Sequence, residues 1–184
     1  MSTAIPTSTS ISESAVISAP LAQVWHLIKL QEFDSFWSKL EKSEHVKGAS
    51  PETDVVKWTF KDGTVLDVKQ EEHSKRRLPS AQSPDDHQLY ADDASHRQAN
   101  GIHNTQTINN YITYSVIAST PALSYTSVLS TIRCYAVTSG PHEGSTFVQW
   151  SANFSSDADA GVIEDARFKR TEALADLASV VGKK

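Results

Sequence analysis

Residues 11–40 read ISESAVISAPLAQVWHLIKLQEFDSFWSKL, and the order of patterns in this stretch decides the fold. Ile11, Glu13, Ala15 and Ile17 alternate with Ser12, Ser14, Val16 and Ser18, the period-two signature of a strand over residues 10–19. Pro20 suits the first turn of a helix, where its missing N–H would have no partner anyway. Behind it Leu21, Val24, Trp25 and Ile28 fall on one apolar helical face. A break at Gln31–Asp34 leads to a second short helix, with Phe33, Phe36, Trp37 and Leu40 as its apolar side. Strand, proline-started helix and short second helix, in that order, build a platform beneath a curved sheet. Such a platform points to a small-molecule cavity.

The rest of the chain reads as strands and one long helix. Glu41–Lys47 is a modest strand, followed by a Gly-Ala-Ser-Pro turn. Asp54–Phe60 and Thr64–Glu72 flank Asp62-Gly63, a strong hairpin signal. Asn110–Ser119 and Tyr125–Thr138 are rich in β-branched and aromatic residues, and the turn Ser139–Gly144 delivers a last strand, Ser145–Phe154. Asp157–Val181 then reads as a helix capped by Ser156 or Asp157, with Ala160, Ile163, Ala166, Leu174, Leu177 and Val181 on its apolar face. About 25 residues at about 1.5 Å each span about 37 Å, enough to cross a curved sheet.

At 184 residues the chain fits one domain over 10–182, with a loose tail at 1–9. Charged residues at 21% and hydrophobic ones at 39% are ordinary for a globular domain. A net charge of −5 argues against nucleic acid or an anionic membrane as the main partner. No apolar run approaches the roughly 18 residues of a membrane span, and the N-terminal residues lack a secretory or mitochondrial pattern. Cys134 is the single cysteine, so no internal disulfide is expected, and a cytoplasmic location fits.

Residues 75–108 break the pattern of short connections. They carry Pro79, Pro84, paired aspartates and scattered Ser, Gln and Asn without apolar period. The expectation is a disordered, solvated insertion, because such composition does not offset its ordering entropy. A lid over the cavity and a retained intron are the alternatives. Joining Ser74–Arg76 to Asn109–Tyr111 would leave an ordinary hairpin.

The segments ISAPLAQVWHLI…FWSKL, DGTVLDVKQEEH, YITYSVIASTPALSYTSVLSTIR and TFVQWSANFSSDADAG resemble the Bet v 1-like, START-related (SRPBCC) superfamily, over about 10–75 and 109–181. Within it they most resemble the polyketide cyclase/dehydrase and lipid-transport branch. The resemblance implies an α+β helix-grip fold: a seven-stranded antiparallel sheet wrapped around a long C-terminal helix, with two short helices after the first strand. A looser similarity is to the plant abscisic acid receptors. It places Lys42 where those receptors have a carboxylate-binding lysine, Tyr125 and Ser127 on a ligand-presenting strand, and Gln149 at a pocket glutamate. Nothing near Lys61–Thr64 or Ser119–Leu123 matches their gate and latch.

Alternation along the sixth strand puts Tyr125, Ser127, Leu129, Thr131, Arg133 and Tyr135 on one face. That mix of aromatics, hydroxyls and one arginine suits a lined pocket, and the alternative is an outward, solvated face. The catalytic candidates are Arg133, Tyr125 and Lys42. Arg133 either holds a carboxylate or enolate bidentately or pairs with Glu71 or Asp67 on the sheet. Lys42 either meets an acidic ligand group or lies on a solvated strand beside Glu41 and Glu44. Ser127, Gln149, Leu129, Tyr135 and Trp25 are the ligand-binding candidates. Gln149 and Trp150 compete for the inward position.

His73, His87, His96 and His103 lack the spacing of a metal site, and neither metal nor cofactor is expected. GxSxG, GxGxxG and P-loop motifs are absent, which excludes several enzyme classes but not cyclases. A cyclase of this type folds a reactive chain in a shaped, dry cavity with one or two acid/base groups. The expected partner is a small apolar or partly oxygenated molecule, a polyketide- or terpenoid-like secondary metabolite, acted on by a cofactor-free cyclase or dehydratase. The alternatives are a non-catalytic carrier and a ligand-responsive binding module.

Overall fold

The strand that opens the chain and the one that follows the helical platform lie at opposite edges of a single sheet. The computed structural model describes residues 8–46, 54–73 and 110–182. The expected insertion at 75–108 and residues 1–7 of the expected tail lie outside the described residues. The strands are β1 (Ser10–Ile17), β2 (Leu40–His45), β3 (Val55–Phe60), β4 (Val65–His73), β5 (Asn110–Thr120), β6 (Val128–Ala136) and β7 (Thr146–Phe154). They form a seven-stranded antiparallel sheet in the order β1-β7-β6-β5-β4-β3-β2. Helix α1 (Leu21–Leu27) and a 3-10 helix (Leu30–Ser35) carry the chain from the β1 edge to the β2 edge. Helix α2 (Ala160–Val181) follows β7.

Two side chains fasten the platform to the sheet. Ser43 Oγ and Trp58 Nε1 both donate to the Leu30 carbonyl at 2.8 Å. The first turn of the platform is held by Thr146 Oγ1, fully buried, which donates to the Ala19 carbonyl at 2.8 Å. Phe33, with no exposed surface, stacks on Trp58 at 4.9 Å and meets Phe36 and Trp150 edge-on or tilted. The second helical segment is therefore a 3-10 turn starting at Leu30, rather than a helix centred on Phe36 and Trp37.

The Asp62-Gly63 hairpin forms as the sequence indicates. Gly63 has φ +86°, a left-handed conformation that glycine adopts without steric cost, and Asp62 Oδ1 accepts from Thr64 N at 2.8 Å. On the far side of the described gap, His73 of β4 is the register partner of Ile112 in β5.

Helix α2 begins later than its sequence suggested. Asp159 is the N-cap, accepting from Val162 N at 2.8 Å, a bond worth about 1 kcal/mol. Asp157 is occupied elsewhere: its carboxylate accepts from Thr126 N at 2.9 Å and Thr126 Oγ1 at 2.7 Å. The helix has 22 residues, about 33 Å of length, and lays Ala173, Leu174, Leu177 and Val181 into the core formed with Val68, Ile132, Val148 and Trp150. No helix among the described residues is long and apolar enough to cross a membrane.

Candidate functional site

Between the sheet and the first half of α2, the side chains leave a cavity of about 310 Å³. That volume lies at the lower end of the range for small-molecule sites. Its walls follow from the fold. Alternation along β6 and β7 sends Val128, Ser130, Trp150 and Phe154 inward. The platform adds Trp37, β3 adds Trp58 and Phe60, and α2 contributes Val162, Ala166 and Arg170. The β3–β4 turn, through Asp62 and Thr64, and the β5–β6 connection, through residues 121–125, form the remaining border.

The aromatic part is interlocked. Trp37 meets Trp150 at 5.6 Å, Phe60 at 5.4 Å and Trp58 at 6.1 Å, each near perpendicular, the edge-to-face geometry that ring quadrupoles favour. Tyr125 meets Phe154 in the same way at 5.5 Å. A rigid apolar wall of this kind sets the shape available to an occupant.

One polar cluster interrupts it. Trp150 Nε1 donates to Tyr114 Oη at 3.0 Å, and Arg170 Nη2 donates to Ser130 Oγ at 3.0 Å. Arg170 Nη1 donates to the Ala166 carbonyl at 2.9 Å, and the guanidinium carbon lies 5.6 Å from the Trp150 ring centroid. Burial pushes the Tyr114 hydroxyl above its ordinary pKa, opposed by the Arg170 charge and by hydrogen bonds from Ser130 and Trp150. Burial likewise raises Tyr125 and lowers Arg170 from its usual value. At the border, the Thr64 backbone N–H holds Asp62 below the ordinary carboxylate value, and Asp165 pairs with Lys169 at 2.8 Å.

No protein-family model matches this chain, and no curated protein matches it in sequence. Solved structures do match its shape. The protein XoxI from Bacillus cereus superposes with a TM-score of 0.63 at 18% identity, over 95% of this chain and 96% of that one. The Zhui aromatase/cyclase from Streptomyces sp. R1128 gives 0.61 at 12% identity, over 95% and 93%. Ara h 8.0201, a Bet v 1 allergen, gives 0.60 at 14% identity, over 95% and 98%. The chain has the Bet v 1-like helix-grip fold.

Within this helix-grip fold the residues singled out from the sequence scatter. Tyr125 lines the cavity, but from the connection before β6 rather than from the strand itself. Its orientation is therefore not tied to the strand's alternation, and the face reading built from it inverts. Val128, Ser130, Ile132 and Cys134 point inward, whereas Leu129, Arg133 and Tyr135 are exposed on the outer face. Ser127 is exposed as well, its backbone engaging Ser155 across the neighbouring strand end. Arg133 forms no ion pair among the described residues: Glu71 binds Lys69 and Ser115, and Asp67 faces Lys57. Lys42 is exposed and pairs with Glu44 at 2.8 Å. Gln149 turns outward to Ser12 Oγ at 3.1 Å, leaving the inward position to Trp150. Trp25 stacks on His73 at 5.4 Å and lies outside the cavity lining.

Arg170, Tyr114, Ser130, Trp37 and Trp150 are among the lining residues that the sequence reading did not place in a pocket. Arg170 had a visible signal. It continues the apolar stripe Ile163, Ala166, Leu174, Leu177 at helical spacing, so a charge there falls on the buried side of α2.

Proposed function

We propose that this protein binds a small, mainly apolar, partly oxygenated ligand, polyketide- or terpenoid-like, in the cavity between α2 and the sheet. The observation that carries the reading is the cavity's composition: aromatic walls from Trp37, Trp58, Phe60, Trp150 and Phe154 around one compact polar cluster. Apolar contact at roughly 25 cal/mol per Å² supplies affinity, and the polar cluster fixes orientation. The likeness in shape to an aromatase/cyclase and to a Bet v 1 allergen supports it. Cytoplasmic residence belongs to the same reading and is supported by the single, buried Cys134, whose thiol burial pushes up to about 12.

Binding without turnover is the first form of this reading. Among the lining residues Asp62 is lowered and Tyr114 and Tyr125 are raised, each shifted away from neutrality. A second form, cofactor-free cyclisation or dehydration, is favoured by Arg170 and Tyr114 lining the same cavity, where their N–H and O–H groups polarise a carbonyl while the walls hold a reactive chain folded. Native mass spectrometry of the full chain separates the outcomes. A co-purified small molecule released unchanged supports binding, and a released product differing from an added polyketone by loss of water supports the second form. A bare protein mass, with no uptake from a panel of aromatic, polyketide and terpenoid compounds, overturns both.

A further inference from the structure

We propose that the ligand carries an acidic oxygen group, a carboxylate or an enolate, and that Arg170 is the residue that reads it. This rests on the binding reading above and names the chemistry of its ligand.

Arg170 is only 8% exposed, and its guanidinium keeps its charge under all ordinary conditions. Its partners are nevertheless all neutral: the Ala166 carbonyl, the Ser130 hydroxyl and the Trp150 ring face. Nε has no hydrogen-bond partner among the described residues. The surrounding carboxylates are already engaged. Glu13 takes Arg167 at 3.4 Å, Asp165 takes Lys169 at 2.8 Å, and Asp62 accepts from the Thr64 backbone. The Glu13 charge acts on Arg170 with no ion pair between the two among the described residues, so the buried guanidinium is only weakly countered, and an anionic ligand group in the cavity supplies a direct counter-charge.

The proton count of the cluster points the same way. Tyr114 Oη already accepts from Trp150, and Ser130 Oγ already accepts from Arg170. Each hydroxyl retains one hydrogen, and at most one of the two bridges Ser130 and Tyr114. One O–H therefore remains, beside the guanidinium Nε–H, which has no partner among the described residues. Trp37 Nε1, in the same lining, also has no hydrogen-bond partner among the described residues. A site with surplus donors and a surplus positive charge complements an oxygen that carries lone pairs and negative charge.

The test is isothermal titration of the full chain with 2-naphthoate and 2-naphthamide, which match in size and differ in charge. Native protein prefers the carboxylate about ten- to a hundredfold, as expected of a charged hydrogen bond. Arg170→Gln erases the preference by lowering carboxylate affinity far more than amide affinity, and Arg170→Lys restores part of it. Should Arg170→Gln fail to fold, Tyr114→Phe reports instead, lowering carboxylate affinity more than amide affinity, and an unchanged preference in it overturns the assignment. Equal affinities in the native protein, or a preference that survives Arg170→Gln, overturn the anion assignment and leave small-molecule binding standing. Failure of both probes and of a wider panel of carboxylates and amides overturns the binding reading and this one together.

Discussion

Arg170 Nη2 donates to Ser130 Oγ at 3.0 Å, so the final helix is joined to strand β6 by a charged hydrogen bond inside the cavity. The bond satisfies part of a guanidinium whose desolvation opposes the fold. Ser130→Ala removes the acceptor and leaves the charge, and is expected to cost about 1.5–3 kcal/mol. Arg170→Met removes charge and bond together at similar volume, and is expected to cost less than Ser130→Ala or to stabilise the ligand-free protein. Urea denaturation of both variants checks this order. A larger loss for Arg170→Met would make the arginine a structural fastener first.

Phe33 holds the platform against the sheet through Trp58, Phe36 and Trp150. Phe33→Ala opens a void under three aromatic rings, with an expected loss of about 3–5 kcal/mol. A chemical melt showing a loss below about 1 kcal/mol would mean that the platform collapses onto the sheet without it.

Arg133 and Lys42 are exposed on the outside of the sheet, away from the cavity. Arg133→Ala and Lys42→Ala should each change stability by no more than about 0.5 kcal/mol and leave 2-naphthoate affinity unchanged. Titration and urea denaturation of the two variants settle it, and a tenfold loss of affinity in either would return the binding site to the outer face.

The contrast between Arg133 and Arg170 shows what was legible in the sequence and what was not. Element order came through because hydrophobic period, Pro20 and the Asp62-Gly63 turn are local signals. The inward face of β6 did not. Both faces of residues 128–135 carry apolar and hydroxyl residues, and Tyr125 lies in the preceding connection, where parity has no meaning. The β6–β7 register resolves it, pairing Ile132 with Trp150 and Arg133 with Gln149. Gln149 and Trp150 are sequence neighbours, so only long-range pairing decides which one enters the core. Arg170 was readable as a charge on an apolar stripe, but it follows Arg167 and Lys169 in a run of basic residues that hides it in a simple charge pattern.

Asp157 provides a pH handle on the entrance to β6. Hydrogen bonds from Ser155 and then Thr126 hold its carboxyl below the ordinary value of 3.8. A lowered folded-state pKa contributes stability that is present above 3.8 and is lost as pH falls through the folded value. Asp157→Asn should therefore be less stable than the native chain at neutral pH, with the gap closing as pH drops below 3.8. Thermal melts across that range check the sign, and a gap independent of pH would show that the charge plays no part.

The tryptophans report on the cavity directly, because Trp37, Trp58 and Trp150 line it and Trp25 does not. The decisive measurement is the indole N–H region of the ¹⁵N spectrum of the full chain, titrated with 2-naphthoate. The cavity account predicts saturable shifts of the Trp37, Trp58 and Trp150 signals with Trp25 unmoved. Shifts confined to Trp25, or no shift in the three lining residues at saturation, would contradict it.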